Sequence, residues 1–311
     1  IDRRIRATNY GRYANRFGVM KIRHGSKVVT VSDSGLEDAT AQPGELVGLD
    51  ESGWRVGTGR GVISLSGFAH LDGRAISAPD AAAWLAVEPG SRLEAMTDEA
   101  ASALHEAGAP AYAAEPFFER RLRFLEGIGV PHARTEHKAE GRFDRIALEV
   151  PEAFRRFAGD RIDAALIAVF CAYLGRAEDR GDFSVAWTDA RARSAADDYP
   201  ELFSRRLPLQ AGLRFDEAFD NLVDRLGKEL KRLEKRPSFA LELIGRMPEL
   251  REVPELATTL SLSAGIARTA ESGAYTPPVG HHLTLELAND GAWLVVDASV
   301  LDASDVSRLR A

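Results

Sequence analysis

Short strand-like segments separated by glycine-containing turns fill the first 93 residues of the chain. Residues 19–23 and 27–32 flank a tripeptide in which Gly25 supplies the positive φ that a tight hairpin needs. Three more strands are predicted at residues 44–50, 53–57 and 61–65. Because several short strands follow one another at close spacing, the pattern predicts a small open β-barrel of the OB-like type.

The pattern changes after residue 93. Residues 94–114 are rich in alanine and acidic residues, a composition that fits either a helix or an alanine-rich linker. From residue 115 onward, strand patterns are interspersed with apolar patterns at helical spacing, which predicts a layered α/β domain. We therefore predict an α+β chain of two domains, at residues 1–93 and 115–311, and its length of 311 residues agrees with that number.

Within the second domain, residues 163–174 are apolar on most sides, so we expect that helix to be buried. A second helix, at 215–233, has a single apolar face. Strands are predicted at residues 143–150, 183–187, 258–263, 282–287 and 293–296, and a last helix at 304–310. The last two strands are joined by a turn at 289–291 whose Asp-Gly pair favours a hairpin.

Composition excludes several classes of protein. Hydrophobic residues make up 45% and charged residues 28% of the chain, which excludes overall disorder. No apolar run approaches the roughly 18–20 residues of a bilayer-spanning helix. The single cysteine, Cys171, can form neither an internal disulfide nor a multi-cysteine zinc site. Because the sequence starts at Ile1 without a signal-peptide pattern, we expect a cytoplasmic protein and a piece of something longer.

Positive charge is concentrated at the start of an acidic chain. The whole chain carries −7, whereas residues 1–27 carry eight basic residues and one acid, Asp2, a net charge of +7. Such a cluster favours a polyanionic partner, and a solvated basic face is the alternative. The residues predicted to bind an anionic partner are Arg3, Arg4, Arg6, Arg16, Lys21, Arg23 and Lys27.

The remaining motifs do not assemble a catalytic or metal site. The glycine-rich residues 57–61 are followed by a strand pattern and not by a helix, which favours a hairpin turn over a phosphate loop. His281 and His282 are adjacent on a predicted strand, so their side chains point to opposite faces. Cys171 lies in an apolar helix, where a thiol is usually inert. The acidic residues do not match a calcium loop: Asp160, Asp163, Asp197 and Asp198.

Residues 1–93 resemble the C-terminal domain of methionyl-tRNA formyltransferases. The motifs stand in the family's order: IRATNY at 5–10, PGELVG at 43–48, GWRVGTGRGVISL at 53–65 and GRAISA at 73–78. Tyr10-Gly11-Arg12 departs from the proline-rich segment that the family often has there. The resemblance implies a β-barrel that helps to bind the acceptor. The family's formyl-transfer residues lie in another domain, so none is carried over.

Residues 115–311 look like the C-terminal lobe of a peptide-synthetase condensation domain, which has the chloramphenicol acetyltransferase fold. The segments that carry this resemblance are FFERRL at 117–122, AALIAVF at 164–170, LFSRRLPL at 202–209 and FDEAF at 215–219. The family's His-His active-site motif belongs to the other lobe. His281-His282 lacks the Asp-Gly that follows that motif, so the role is not carried over.

Together the two resemblances imply a non-catalytic portion of a peptide-synthetase initiation module that formylates a carrier-bound amino acid. The expected partners are an upstream formyltransferase domain and downstream adenylation and carrier domains, with no nucleic acid and no membrane. This chain is expected to bind no cofactor, while the parent module uses 10-formyltetrahydrofolate and phosphopantetheine. One alternative is a transfer-RNA-binding accessory domain, for which Tyr10, Tyr13 and Phe17 are the stacking candidates. Another is an acyltransferase half-site completed by a second chain, which an exposed apolar cleft would favour.

Overall fold

A computed structural model describes residues 1–134, 141–256, 260, 262–302 and 305. The chain divides into two units whose segments alternate along the sequence. The first unit comprises Ile1–Arg123, Ala196–Ser204 and Phe239–Thr259, and the second comprises Phe124–Ala195, Arg205–Ser238 and Leu260–Ala311. The predicted domains, residues 1–93 and 115–311 with residues 94–114 between them, do not coincide with these two units. Because the units are defined by spatial proximity alone, the domain bounds stay a prediction.

The first unit contains a five-stranded antiparallel sheet in the order β1-β2-β5-β4-β3. Strands β1 and β3 lie at opposite edges, and no pairing between them is recorded in the described residues, so this sheet is not the closed wall of a barrel. The mixed α+β class with two sheets is confirmed. The strands are β1 (Met20–His24), β2 (Lys27–Glu37), β3 (Leu46–Asp50), β4 (Gly53–Thr58) and β5 (Gly61–Ala69).

Two predicted hairpins are present in this sheet. His24 pairs with Lys27 across a turn in which Gly25 has a φ of +58°. Thr58 pairs with Gly61, which places the glycine-rich residues 57–61 in a hairpin turn, as predicted. The phosphate-loop reading of that segment is therefore excluded, because a helix does not follow it.

Helices α1 (Asp2–Thr8) and α2 (Ala78–Leu85) pack against the sheet of the first unit. Ile5 of α1 and Leu85 of α2 pack with Trp54 and Phe68 in the core beneath the sheet. Ser77 begins α2 by accepting a hydrogen bond from the Asp80 backbone, as an N-cap residue does. The helices are α1 (Asp2–Thr8), α2 (Ala78–Leu85), α3 (Asp98–Ala113), α4 (Glu115–Arg123), α9 (Glu242–Arg246) and α10 (Pro248–Arg251). Residues 94–114 were predicted to form either a helix or a linker, and helix α3 occupies most of them.

The second unit contains a six-stranded mixed sheet in the order β6-β11-β10-β9-β7-β8. Strand β9 pairs in parallel with both β10 and β7, and the other neighbours are antiparallel. Its strands are β6 (Phe143–Ala147), β7 (Asp182–Thr188), β8 (Leu207–Gly212), β9 (Ala264–Arg268), β10 (Leu283–Ala288) and β11 (Gly291–Asp297). Its helices are α5 (Glu152–Ala158), α6 (Ile162–Ala177) and α8 (Phe219–Glu234), together with all but the last two residues of α7 (Ala190–Asp197).

The predicted elements of this unit are found with shifted ends. Strands β10 and β11 form the expected hairpin, in which Ala288 pairs with Gly291. The strand predicted at 258–263 falls partly outside the described residues, and β9 follows at Ala264–Arg268. The helix predicted at 304–310 lies outside the described residues except for Asp305. Among the described helices, none combines the length and the apolar composition needed to cross a bilayer.

Candidate functional site

The first cations of the basic segment lie on α1. Ile5 is buried in the core of the first unit, which fixes one side of this helix. Arg3, Arg4 and Arg6 are exposed on the rest of its surface. Because successive helical residues are separated by about 100°, one buried isoleucine is enough to direct these three arginines outward.

The segment after α1 is held by Asn15. Its side-chain amide donates to the carbonyls of Thr8 at 2.8 Å and Gly18 at 2.7 Å, and its Oδ1 accepts from the Phe17 backbone at 2.8 Å. Arg246 also donates to the Asn15 carbonyl, at 2.9 Å. The loop is therefore fixed at its centre.

The side chains on either side of Asn15 reach solvent. Tyr13 is 64% and Phe17 is 78% exposed, and the Tyr10 ring lies 5.8 Å from that of Phe17. The Arg12 guanidinium lies 5.4 Å from the centre of the Tyr13 ring, within cation–π range. Exposed aromatic residues beside arginines are enriched at binding interfaces. We call the exposed residues of this segment the N-terminal surface: Arg3, Arg4, Tyr10, Arg12, Tyr13, Arg16 and Phe17.

The seven predicted cations differ in their partners. Within the described part of the chain, neither Arg3 nor Arg4 forms an ion pair. Arg6 pairs with Asp2 on its own helix at 2.7 Å. Arg16 reaches Glu119 at 3.6 Å, with most of its side chain exposed. Arg3 and Arg4 therefore remain available to an external anion, and Arg16 is only weakly engaged.

The other three predicted cations contact groups of the first unit. Lys21 pairs with the buried carboxylate of Glu242. Arg23 pairs with Glu201 at 2.7 Å and lies over the Tyr199 ring. The Lys27 ammonium lies 5.2 Å from the centre of the Trp84 ring. The structure therefore does not bring all seven cations together, because Lys21 and Arg23 neutralise carboxylates of their own unit.

A buried charged cluster lies behind Asn15. The Arg246 side chain is 1% exposed; its guanidinium pairs with Glu115 and approaches Glu242 at 3.3 Å. Burial raises the pKa of Glu115, while the nearby Arg246 opposes that rise. Burial, followed by the charge of Glu242, raises the pKa of Tyr112 to about 12. Two carboxylates thus face two cations, Arg246 and Lys21, and the cluster holds the loop that carries the N-terminal surface.

A cavity of about 210 Å³ with both polar and apolar walls lies beneath Tyr10 and Tyr13 and reaches Glu242 and Arg246. Small-molecule pockets typically measure about 300–1,000 Å³, so this cavity is too small for a substrate of ordinary size. Its volume suits a few water molecules, and the polar side chains among its walls can hydrogen-bond to them. The binding capacity of this region therefore lies on its surface.

The second unit holds the titratable groups that the sequence singled out. His281 is buried, and its Nε2 lies 3.2 Å from the Arg206 guanidinium. Burial, followed by the charge of Arg206, lowers the pKa of His281 to about 3. A Cβ placed on Gly265 would lie 2.8 Å from the His281 ring, so the glycine makes room for that ring. His281 is consequently neutral at physiological pH.

His282 and Cys171 do not supply a reactive group in this unit either. His282 is half-buried just before β10, and burial lowers its pKa as well. Cys171 is fully buried in α6, and burial raises the pKa of its thiol to about 12. Among the described residues, no group of three His, Cys, Asp or Glu side chains is placed to hold a metal ion.

Sequence reasoning omitted Arg12 from the predicted set, although its position next to Tyr13 indicates a cation–aromatic pair. It also missed the Glu242–Arg246 pair, whose spacing of four residues on a helix is a recognisable signal. No local sequence pattern indicates the contact between Lys21 and Glu242, because 221 positions separate the two residues.

No known protein family matches the sequence, and no curated protein does. The cyclization-docking bidomain of EpoB from Sorangium cellulosum is 14% identical, with a TM-score of 0.48, over 67% of this chain and 48% of that chain. The X-domain from teicoplanin biosynthesis is 17% identical, with a TM-score of 0.46, over 64% and 52%. The starter condensation domain of rhizomide synthetase is 12% identical, with a TM-score of 0.42, over 67% and 51%. The chain thus spans about half the length of each of these three solved structures.

Proposed function

We propose that this chain is the non-catalytic portion of a peptide-synthetase initiation module that N-formylates a carrier-bound amino acid. The first unit helps to bind the acceptor, and the second is a platform for a downstream adenylation domain. The sequence motifs at 5–78 and 117–219 support the two halves of this proposal. The observation that carries it is the N-terminal surface, where Arg3 and Arg4 have no carboxylate partner in the described residues and three aromatic rings are exposed.

The proposed partner of this surface is a carrier domain. Such a domain is acidic and bears the phosphate of its phosphopantetheine arm, so its charge is opposite to that of Arg3, Arg4 and Arg12. Complementary charge accelerates association and fixes orientation more than it adds affinity. The exposed rings of Tyr13 and Phe17 would supply the apolar contact that charge alone does not.

The chemistry of formyl transfer is proposed to reside in an upstream domain that uses 10-formyltetrahydrofolate. The two candidate catalytic side chains of this chain do not suit formyl transfer. His281 is buried and neutral, and Cys171 is a buried thiol with a raised pKa. A general base needs a pKa near the operating pH and access to the substrate. The role we assign to this chain is therefore acceptor positioning.

The test is a formylation assay with a protein that joins the upstream formyltransferase domain to this chain. The double variant Arg3→Glu/Arg4→Glu should raise the KM for an aminoacyl-loaded carrier by about tenfold, with little change in kcat, because two attractive contacts become repulsive. Arg60→Glu, an exposed charge reversal in the turn before β5, is the control for a charge change outside the N-terminal surface and should leave KM within about twofold. An unchanged KM in the double variant would contradict the proposal.

Exposed aromatic rings beside arginines also favour the second candidate, a transfer-RNA-binding accessory domain. Unstacked bases bind to such rings, with about 1–3 kcal/mol per base. Filter binding of transfer RNA distinguishes this candidate function from the carrier-binding function. Saturable binding at 150 mM salt that weakens about tenfold in Tyr13→Ala/Phe17→Ala would favour the RNA candidate. Carrier-dependent formylation without such binding would favour the first.

A further inference from the structure

An apolar pocket of about 350 Å³ opens in the second unit between α6 and the strands β10 and β11. Its floor consists of Leu283, Leu285 and Leu294, all of them buried. At its mouth, Val169 of α6 is 45% exposed. The sequence predicted α6 to be buried, and eight of its 16 residues are buried, whereas Val169 lies on an exposed flank. The reason is that the described elements leave α6 uncovered along the pocket.

Two polar groups are placed at the pocket, Tyr173 on α6 and Glu149 on its rim. Among the residues that the structure describes, none hydrogen-bonds the Tyr173 hydroxyl. Partial burial raises the pKa of Tyr173, so the hydroxyl keeps its proton and can donate. Glu149 is exposed and contributes negative charge to the rim.

These features select the chemistry of a ligand. The volume lies within the range of small-molecule pockets. At roughly 30 Å³ per heavy atom, it holds about 12 such atoms. Leucine and valine walls offer water no hydrogen bonds, so a hydrocarbon chain gains by replacing it. The Glu149 carboxylate disfavours an anionic head, whereas the Tyr173 hydroxyl favours an acceptor.

We propose that this pocket binds an aliphatic chain of about eight or nine carbons that ends in an uncharged, hydrogen-bond-accepting head such as an amide or an ester. The chain lies on the leucine floor, and the head accepts a hydrogen bond from Tyr173. The residues lining the pocket include neither histidine nor cysteine in the described part of the chain. The pocket therefore supplies binding, and an acyltransferase half-site would need its reactive groups from elsewhere.

Calorimetric titration of the 311-residue chain with nonanamide tests the proposal. Saturable binding with one site is expected. Heptanamide, which lacks two methylenes, should bind about 15-fold more weakly at roughly fourfold per methylene. Nonanoate should bind at least about tenfold more weakly, because its carboxylate meets Glu149 and loses its hydration. Affinity that does not depend on chain length, or no saturable binding, overturns the pocket assignment, and equal affinity for nonanoate overturns the head-group assignment.

Variants locate the binding. Val169→Trp fills the mouth from an exposed position and should weaken nonanamide binding at least about tenfold. Tyr173→Phe should weaken nonanamide binding about fivefold and leave the chain-length dependence intact. Phe215→Ser removes an exposed apolar side chain that does not line the pocket, and this variant should bind nonanamide as tightly as the wild-type chain. Thermal unfolding shows that each variant folds, and a folded Val169→Trp variant with unchanged affinity would refute the proposed location.

Discussion

At the scale of single residues, Arg246 supports the loop that carries the N-terminal surface. It joins two carboxylates, Glu115 and Glu242, and also holds the Asn15 carbonyl. Its side chain is almost entirely buried, so its charge is stabilised only by these neighbours. A buried pair adds little net stability over an apolar replacement, but removing one partner alone leaves an uncompensated charge.

We therefore expect Arg246→Met to lower the free energy of unfolding by about 3–5 kcal/mol, measured by urea denaturation. The double variant Arg246→Met/Glu115→Gln should recover at least about 1 kcal/mol, because one of the abandoned carboxylates is then neutral. Arg16→Ala, which breaks the exposed pair with Glu119, is the control and should cost less than about 1 kcal/mol. A double variant less stable than the single one would show that the carboxylate charge is not the cause.

His281 makes stability depend on pH. Its folded pKa of about 3 is below its ordinary value of 6.5, so the unfolded chain binds a proton that the folded chain refuses. This contribution is fully present above pH 6.5 and is lost as pH falls toward 3, with a limiting slope of about 1.4 kcal/mol per pH unit. The difference in the free energy of unfolding between the wild-type chain and the His281→Gln variant should thus shrink as pH falls from 6.5 to 4.5. The exposed His105→Gln is the control, and a difference that is constant with pH would refute this role.

At the scale of elements, the local patterns of the chain were predictable and the long-range contacts were not. The hairpins at Gly25 and at residues 57–61 follow from turn chemistry within a few residues, so the sequence predicted both. The predicted open β-barrel is not shown, because the curvature of a sheet and the approach of its edge strands β1 and β3 depend on long-range contacts that no local pattern specifies. The candidate site shows the same division. The basic residues Arg3, Arg4 and Arg6 were selected by charge alone, and the helix that carries them was not predicted. The pairing of Lys21 and Arg23 depends on residues far away in sequence.

Helix α1 presents its arginines only as long as Ile5 remains in the core. Ile5→Ala should lower the free energy of unfolding by about 2–5 kcal/mol, since it opens a cavity among large apolar side chains. It should also accelerate tryptic cleavage at Arg3 and Arg4 if α1 detaches. Ile1→Ala, at an isoleucine that is largely exposed, is the matched control and should change neither readout appreciably. Unchanged cleavage in a destabilised Ile5→Ala variant would show that α1 stays docked by other contacts.

At the scale of the whole molecule, the distribution of charge matters more than its sum. The chain carries −7 overall, although its first 27 residues carry +7. An acidic partner is therefore attracted by one end of the sequence and repelled by the rest. Such an asymmetry orients the encounter, and its effect decays over a Debye length of about 10 Å at 0.1 M salt.

Association of an acidic carrier protein should accordingly slow with salt. Stopped-flow measurement should show the association rate constant falling about tenfold between 20 and 300 mM sodium chloride. The dependence should be clearly weaker for Arg3→Glu/Arg4→Glu, while Arg60→Glu should keep the slope of the unchanged chain. If the double variant retained the full dependence, the attraction would have to come from other cations.

The close approach of the His281 ring to Gly265 has a consequence for how this chain can change over evolutionary time. The ring occupies the volume that any side chain at position 265 would need. The two positions are therefore coupled: alanine at 265 requires the His281 ring to move or a smaller side chain at 281. Among descendants of this sequence, a substitution at 281 should precede one at 265 more often than follow it.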